Sequence, residues 1–244
     1  MTRMRMHQPA SQCVAIAAMC AIALLGPFPS SWGLSQGDPT ESLLARWAFD
    51  EGEGEMAFDE TNYGSDGRIH SAVWVRRGDG YALSFGGEES CVVVGDSDHL
   101  VPQDRISICA WVNVTDITDG YHCILAKDGY RSGYRLLIDS TSMRVLFQLS
   151  GQEGGNLRSS TKLAFGEWQH VAATYDGKTM RIFVDGKRDP NEMHRNGRID
   201  ETSASLTIGR AHYQLFGMVD DVRIYGRALS DMEVSSLYES TCED

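Results

Sequence analysis

The chain has 244 residues, of which 42% are hydrophobic and 23% charged, and a formal net charge of −12 at neutral pH. That acidity, with no basic stripe anywhere, excludes nucleic acid and anionic membrane surfaces as partners, because a polyanion is repelled. The length suits one large all-β domain or two small ones.

Residues 1–33 have the layout of a secretory signal peptide. Arg3 and Arg5 stand without an acidic neighbour, an apolar run follows from Cys13 to Leu25, and small residues lead to Gly33. The run is shorter than the roughly 20 residues that span a bilayer, so cleavage near Gly33 is expected and no transmembrane segment is expected in the mature chain. Export leaves four cysteines, Cys91, Cys109, Cys123 and Cys242. In an oxidising compartment these suggest disulfides, with Cys109 and Cys123 able to face each other across a hairpin; free buried thiols are the alternative.

After cleavage, residues 34–41 form a short polar lead with Gly37 and Pro39. Leu43 to Phe49 reads as a strand. Glu51, Glu53 and Glu55 then alternate with Gly52 and Gly54, which places them in a loop, since strand interiors disfavour glycine. They are therefore not the paired carboxylates of a glycosidase strand. Phe58 to Gly67 is dense in oxygen-bearing side chains and turn formers. By composition it is an Asx-rich turn, and a hard cation held by the same oxygens is the alternative.

From Ile69 onward short strands alternate with glycine, aspartate and serine clusters: Ala72 to Arg76, Tyr81 to Phe85, Cys91 to Val94, Ile106 to Val114, His122 to Lys127, Tyr134 to Asp139 and Arg144 to Leu149. Trp168 to Lys187 reads as a hairpin reversing at Asp176-Gly177 and closing at Asp185-Gly186, where glycine takes positive φ freely. Its alternation puts Met180, Ile182 and Val184 on one face, and Arg181, Phe183 and Asp185 on a wetter one. Asp231 to Tyr238 is a short helix, with Ser230 as N-cap and Glu233 three residues on. No linker divides residues 42–240, so they read as one all-β domain, an antiparallel sandwich or barrel.

No nucleophile elbow, HExxH, P-loop or dinucleotide fingerprint occurs, and no catalytic residue is assigned. His170 reads as a structural strand histidine, and Trp111 and Trp168 as packing residues. Sugars stack on exposed aromatics, so a glycan site is to be sought among Trp74, Tyr121, Tyr130 and Tyr213 on or beside loops. Asn113-Val114-Thr115 matches the N-glycosylation pattern but sits at a strand end.

Leu206-Thr207-Ile208-Gly209-Arg210 followed by Phe216 to Ser230, with its Asp220-Asp221-Val222-Arg223-Ile224-Tyr225 core, resembles the ending of LamG-like jellyroll domains of the concanavalin A-like lectin/glucanase superfamily. Arg46 to Gly52, Gly80 to Gly87, Ile106 to Val112, Lys127 to Gly129 and Trp168 to Gly186 resemble earlier segments of that family in the right order. The resemblance implies a two-sheet antiparallel jellyroll with a short C-terminal helical turn. It also implies binding rather than catalysis, and the expected partner is an extracellular glycan or glycoprotein taken at rim loops, where Tyr130 and Tyr213 are the loop aromatics expected to contact it. A cell-surface structural or adhesion domain and a glycoside hydrolase-like enzyme are the alternatives. The family further implies calcium, whose ligands here would be Asp59, Asn62 and Asp220, with Tyr63 standing where an asparagine is usual.

Overall fold

The computed structural model describes residues 40–242 apart from 88, 130 and 131. The expected leader at 1–33 and Tyr130 therefore lie outside the described residues. Among the described residues sixteen strands and one α-helix follow in order: β1 Leu43–Trp47, β2 Met56–Ala57, β3 Gly67–His70, β4 Val73–Arg77, β5 Gly80–Phe85, β6 Cys91–Val94, β7 Ile106–Val114, β8 Tyr121–Gly129, β9 Ser132–Asp139, β10 Arg144–Leu149, β11 Gly155–Lys162, β12 Gln169–Tyr175, β13 Thr179–Val184, β14 Lys187–His194, β15 Leu206–Ile208, β16 Gly217–Tyr225 and α1 Asp231–Thr241.

Every strand pairing is antiparallel, and the strands form two sheets. The first runs β14-β13-β12-β7-β16-β5-β4, with β1 also paired to β16, and the second runs β11-β10-β9-β8-β15-β6-β3-β2. The expected two-sheet jellyroll is therefore the observed fold. Alternation decides what lies between the sheets: Ile108, Ala110 and Val112 of β7, Leu136 and Ile138 of β9, and Val145 and Phe147 of β10 share one buried cluster. Burying such side chains is worth about 2 kcal/mol each, the main force holding the sheets together.

The expected hairpin is β12 and β13, with Met180, Ile182 and Val184 in the core between the sheets. On its other face Arg181 and Asp185 stay partly exposed, but Phe183 is covered. Phe183 joins Cys109, Ala172 and Tyr225 in a second apolar cluster, which α1 covers with Val234 and Leu237. The capping box at Ser230 and Glu233 forms as the spacing predicts, and the helix runs three residues beyond Tyr238. Strands β11 and β14 carry too few apolar residues to stand out in the sequence: three of eight positions in β11 and six of eight in β14 are charged, amide or proline.

The four cysteines are free thiols in the structure, Cys242 exposed and the others buried. Cys109 and Cys123 do not face each other across a hairpin, because β7 and β8 belong to different sheets. Cys109 packs under α1, while Cys123 lies on the outer face of the second sheet with Ala126, Leu137 and Leu146. Asn113 is buried on β7 and donates to Gly166 O, which takes the glycosylation pattern off the surface.

Candidate functional site

The second sheet leaves its outer face open to a loop and a depression. Residues 209–214, joining β15 to β16, fold into a tight reversal. Gly209 at φ +83° fits because a Cβ there would strike the Phe85 ring. Leu215 N donates back to Gly209 O, and the Gln214 amide donates to Ser90 O and Gly209 O. This reversal holds Tyr213 at its tip with 37% of its surface exposed. The ring meets Tyr121 edge-on at 5.0 Å and 62°, and Gly120 passes alongside it. Edge-to-face pairing adds about 1 kcal/mol beyond area burial, so the exposed ring is braced.

Outward positions of β8 and β9 supply polar groups. Asp128, its side chain almost fully buried, lies 2.5 Å from an Arg135 guanidinium nitrogen and 3.2 Å from His212 Nε2. Beside this pair is a depression of about 330 Å³ lined by Asp128, Ser132, Gly133, Arg135, Gln148 and Asn156. The Gln148 amide donates to Asn156 Oδ1 at 2.8 Å, and the Gln148 carbonyl and Asn156 amide have the capacity for further hydrogen bonds. Chemically this is a hydrogen-bonding surface. Its one carboxylate is engaged by Arg135 and His212, so it offers no pair of carboxyls to divide acid and base roles.

The outer face of the first sheet is built differently. The Arg77 guanidinium lies over Trp111 at 4.5 Å and Trp168 at 4.8 Å, and Tyr238 of α1 stacks on Trp111 at 5.7 Å. These aromatic faces cover one another and seat the helix. Trp111 is thus a packing residue, and Trp168 is half-buried over the same arginine. His170 lies edge-on to Trp111 beneath α1, and burial pushes its pKa down to about 4. Asp220 and Asp221 line a depression of about 360 Å³ here, but Arg77 pairs with Asp220, and Arg46 and Arg223 with Asp221. Burial raises the Asp220 carboxyl to about 6 against the pull of Arg77.

Of Asp59, Asn62 and Asp220, the residues the family pattern assigns to calcium, the two carboxylates are engaged by protein donors. Asp59 Oδ1 accepts from Arg46 N and Thr61 N, and Oδ2 from Thr61 Oγ1 and Ser65 N, at 2.7–3.0 Å. Those four donors occupy the lone pairs that a cation needs. Asp220 Oδ1 accepts from Asp221 N, and its other oxygen is held by Arg77. Asn62 is exposed on its turn. Among the described residues no group of three or more histidine, cysteine, aspartate or glutamate side chains is placed to hold a metal ion. The donor set as it stands does not fit calcium.

Of the two tyrosines expected to contact ligand, Tyr213 is braced at the loop tip, and Tyr130 lies outside the described residues. Sequence reasoning passed over Asp128, Arg135, Gln148 and Asn156. The available signal was the alternation of β8 and β9, which sends Asp128 and Arg135 outward beside the buried Ala126 and Leu137.

Comparison with known proteins follows the fold. The binding domain of Paraclostridial Mosquitocidal Protein 1 superposes with a TM-score of 0.69 at 14% identity, over 83% of this chain and 53% of that one. The botulinum neurotoxin serotype G binding domain gives 0.67 at 18%, over 81% and 51%. The chain thus spans about half the length of these toxin domains. Domain 4 of AbnA, an extracellular arabinanase from Geobacillus stearothermophilus solved with arabinotriose, gives 0.66 at 20% identity, over 81% of this chain and 98% of that one. At these identities the likeness establishes the fold. No curated protein sequence matches. A family model described as the concanavalin A-like lectin/glucanases superfamily matches residues 85–235, more than half of the chain. The chain belongs to the concanavalin A-like lectin/glucanases superfamily.

Proposed function

We propose that the chain is an exported, non-catalytic module that binds a glycan, free or on a glycoprotein, across the outer face of its second sheet. The observation that carries this reading is the exposed Tyr213 ring, braced by Tyr121, on the same face as the polar depression beside Asp128 and Arg135. A pyranose or furanose ring lays its apolar face on such an aromatic while hydroxyls bond to the amides and the charged pair. The related AbnA domain was solved with arabinotriose, and the other relatives named above are binding domains, which favours binding over chemistry. The ion-paired state of Asp128, Asp220 and Asp221 favours the same side. Export is supported by the order of residues 1–33. Among the described residues no helix is long and apolar enough to cross a membrane.

The test is a glycan array followed by calorimetry on the best hits, with Tyr213→Ala and Gln148→Ala alongside the parent. Affinity should fall at least tenfold in Tyr213→Ala with the melting temperature unchanged. Hydrolysis of an array glycan by pure protein, or no hit on the array and on a panel of surface glycoproteins, would overturn the reading.

A further inference from the structure

A second aromatic platform stands at the other end of the same sheet. Val94 of β6 pairs with Gly67 of β3 and Leu206 of β15, and Leu206 pairs with Lys127. The loops that precede β3, follow β6 and precede β15 therefore gather at one end, whereas residues 209–214 leave from the opposite end. At the gathered end Tyr63 is 56% exposed and its ring stacks on His99 with centroids 4.3 Å apart and 15° between planes. His99 is itself fixed. Ser65 Oγ lies 2.9 Å from Nε2 and Ser97 Oγ 2.7 Å from Nδ1, which suits a neutral imidazole donating at one nitrogen and accepting at the other. Burial lowers the His99 pKa and keeps it neutral.

The turn under Tyr63 is equally held. Besides the four donors on the Asp59 carboxylate, Asp59 N donates to Asp66 Oδ1, and Trp47 Nε1 donates to Ser65 O. A self-bonded turn thus presents a flat ring at its tip, one face on His99 and the other toward solvent. The loop carrying His99 also walls a depression of about 470 Å³ lined by Asp96, Asp98, Gln103, Glu201, Thr202 and Ser203. The Lys127 ammonium is fully buried and bonded to Asp96 and Ala204 O, so no cation lines the opening.

The geometry points to a second saccharide site on Tyr63 and His99, taking a neutral pyranose whose apolar face lies on Tyr63 and whose hydroxyls donate to the carboxylates of Asp98 and Glu201. The inference rests on the reading of the chain as a glycan-binding module and adds a site that Tyr213 does not serve. The carboxylates decide the class of ligand: sugar hydroxyls donate to them, whereas a uronate would meet like charge in a wall without a free cation.

The experiment is saturation-transfer NMR and calorimetry with cellopentaose, mannopentaose, laminaripentaose and trigalacturonate on the parent, Tyr63→Ala, Tyr63→Trp and Tyr213→Ala. At least one neutral pentaose should bind. Tyr63→Ala should lose that binding tenfold or more with an unchanged melting temperature, Tyr63→Trp should keep it, and Tyr213→Ala should retain the Tyr63-dependent component. Loss in Tyr213→Ala with none in Tyr63→Ala would overturn the second site and leave the glycan reading standing. Binding of trigalacturonate alone would overturn the charge argument and the site with it. Silence of the parent toward all four probes would overturn the site, and the array described above then decides separately on the module.

Discussion

Trp111 Nε1 donates a 2.8 Å hydrogen bond to Thr241 Oγ1, joining the middle of β7 to the last turn of α1. The threonine hydroxyl passes its own proton to Leu237 O at 2.8 Å, so the indole N–H has a buried acceptor that the helix supplies. Thr241→Val keeps the shape and removes the acceptor. It should cost about 1–3 kcal/mol, the penalty of an unsatisfied buried donor, read as a lower urea midpoint with the slope unchanged. Leu237→Ala, which opens the apolar seat of the helix, should cost about 2–5 kcal/mol in the same measurement.

His170 and Asp220 should pull the pH dependence of stability in opposite directions. The folded His170 ring resists protonation until about pH 4, while an unfolded histidine takes a proton near 6.5, so its contribution is present above 6.5 and lost as pH falls toward 4. Asp220 is shifted the other way, up from 3.8 to about 6, so its contribution is present below 3.8 and lost as pH rises through 6. Each amounts to roughly 3 kcal/mol at full shift, and the two nearly cancel between pH 6.5 and 4.5. His170→Gln should therefore gain stability relative to the parent as pH falls through that window, and Asp220→Asn should lose it. Parallel urea titrations at pH 7, 5.5 and 4.5 provide the check; identical profiles for the parent and both variants would refute the assignment.

Asp59 should act as an internal staple. With its four acceptor positions filled by protein donors, neither added calcium nor a chelator should move the melting temperature. Asp59→Ala leaves the buried Ser65 N–H without its acceptor and frees the turn that carries Tyr63. A loss of about 2–4 kcal/mol is expected, the same with calcium as with chelator. A calcium-dependent rise in melting temperature that Asp59→Ala abolishes would show that the turn rearranges around an ion.

Much of the architecture was legible before the structure, because it is written in local physics. Alternating β-branched and aromatic residues mark β5 to β10, Asp-Gly pairs mark the reversals around β13, and Ser230 with Glu233 marks the start of α1; each signal needs only neighbours a few residues away. Strands β11 and β14 were missed for the converse reason. Both are edge strands, with polar residues on the open side and Pro190 tolerated in β14, so little in their own sequence asks for a sheet. The paired Tyr121 and Tyr213 and the stacked Tyr63 and His99 show where local reading ends: each pair joins segments far apart in the chain, and composition names the rings without saying which are braced and which buried. Asp59 and Asp220 make the same point about charge. An acidic, all-β jellyroll with a capped C-terminal helix thus follows from local patterns along the chain. The packed fold is what covers Phe183, separates Cys109 and Cys123 into different sheets, and fills Asp59 and Asp220 with protein donors. Those outcomes depend on which strands of sixteen become neighbours, and that is set by burial of the whole core at once.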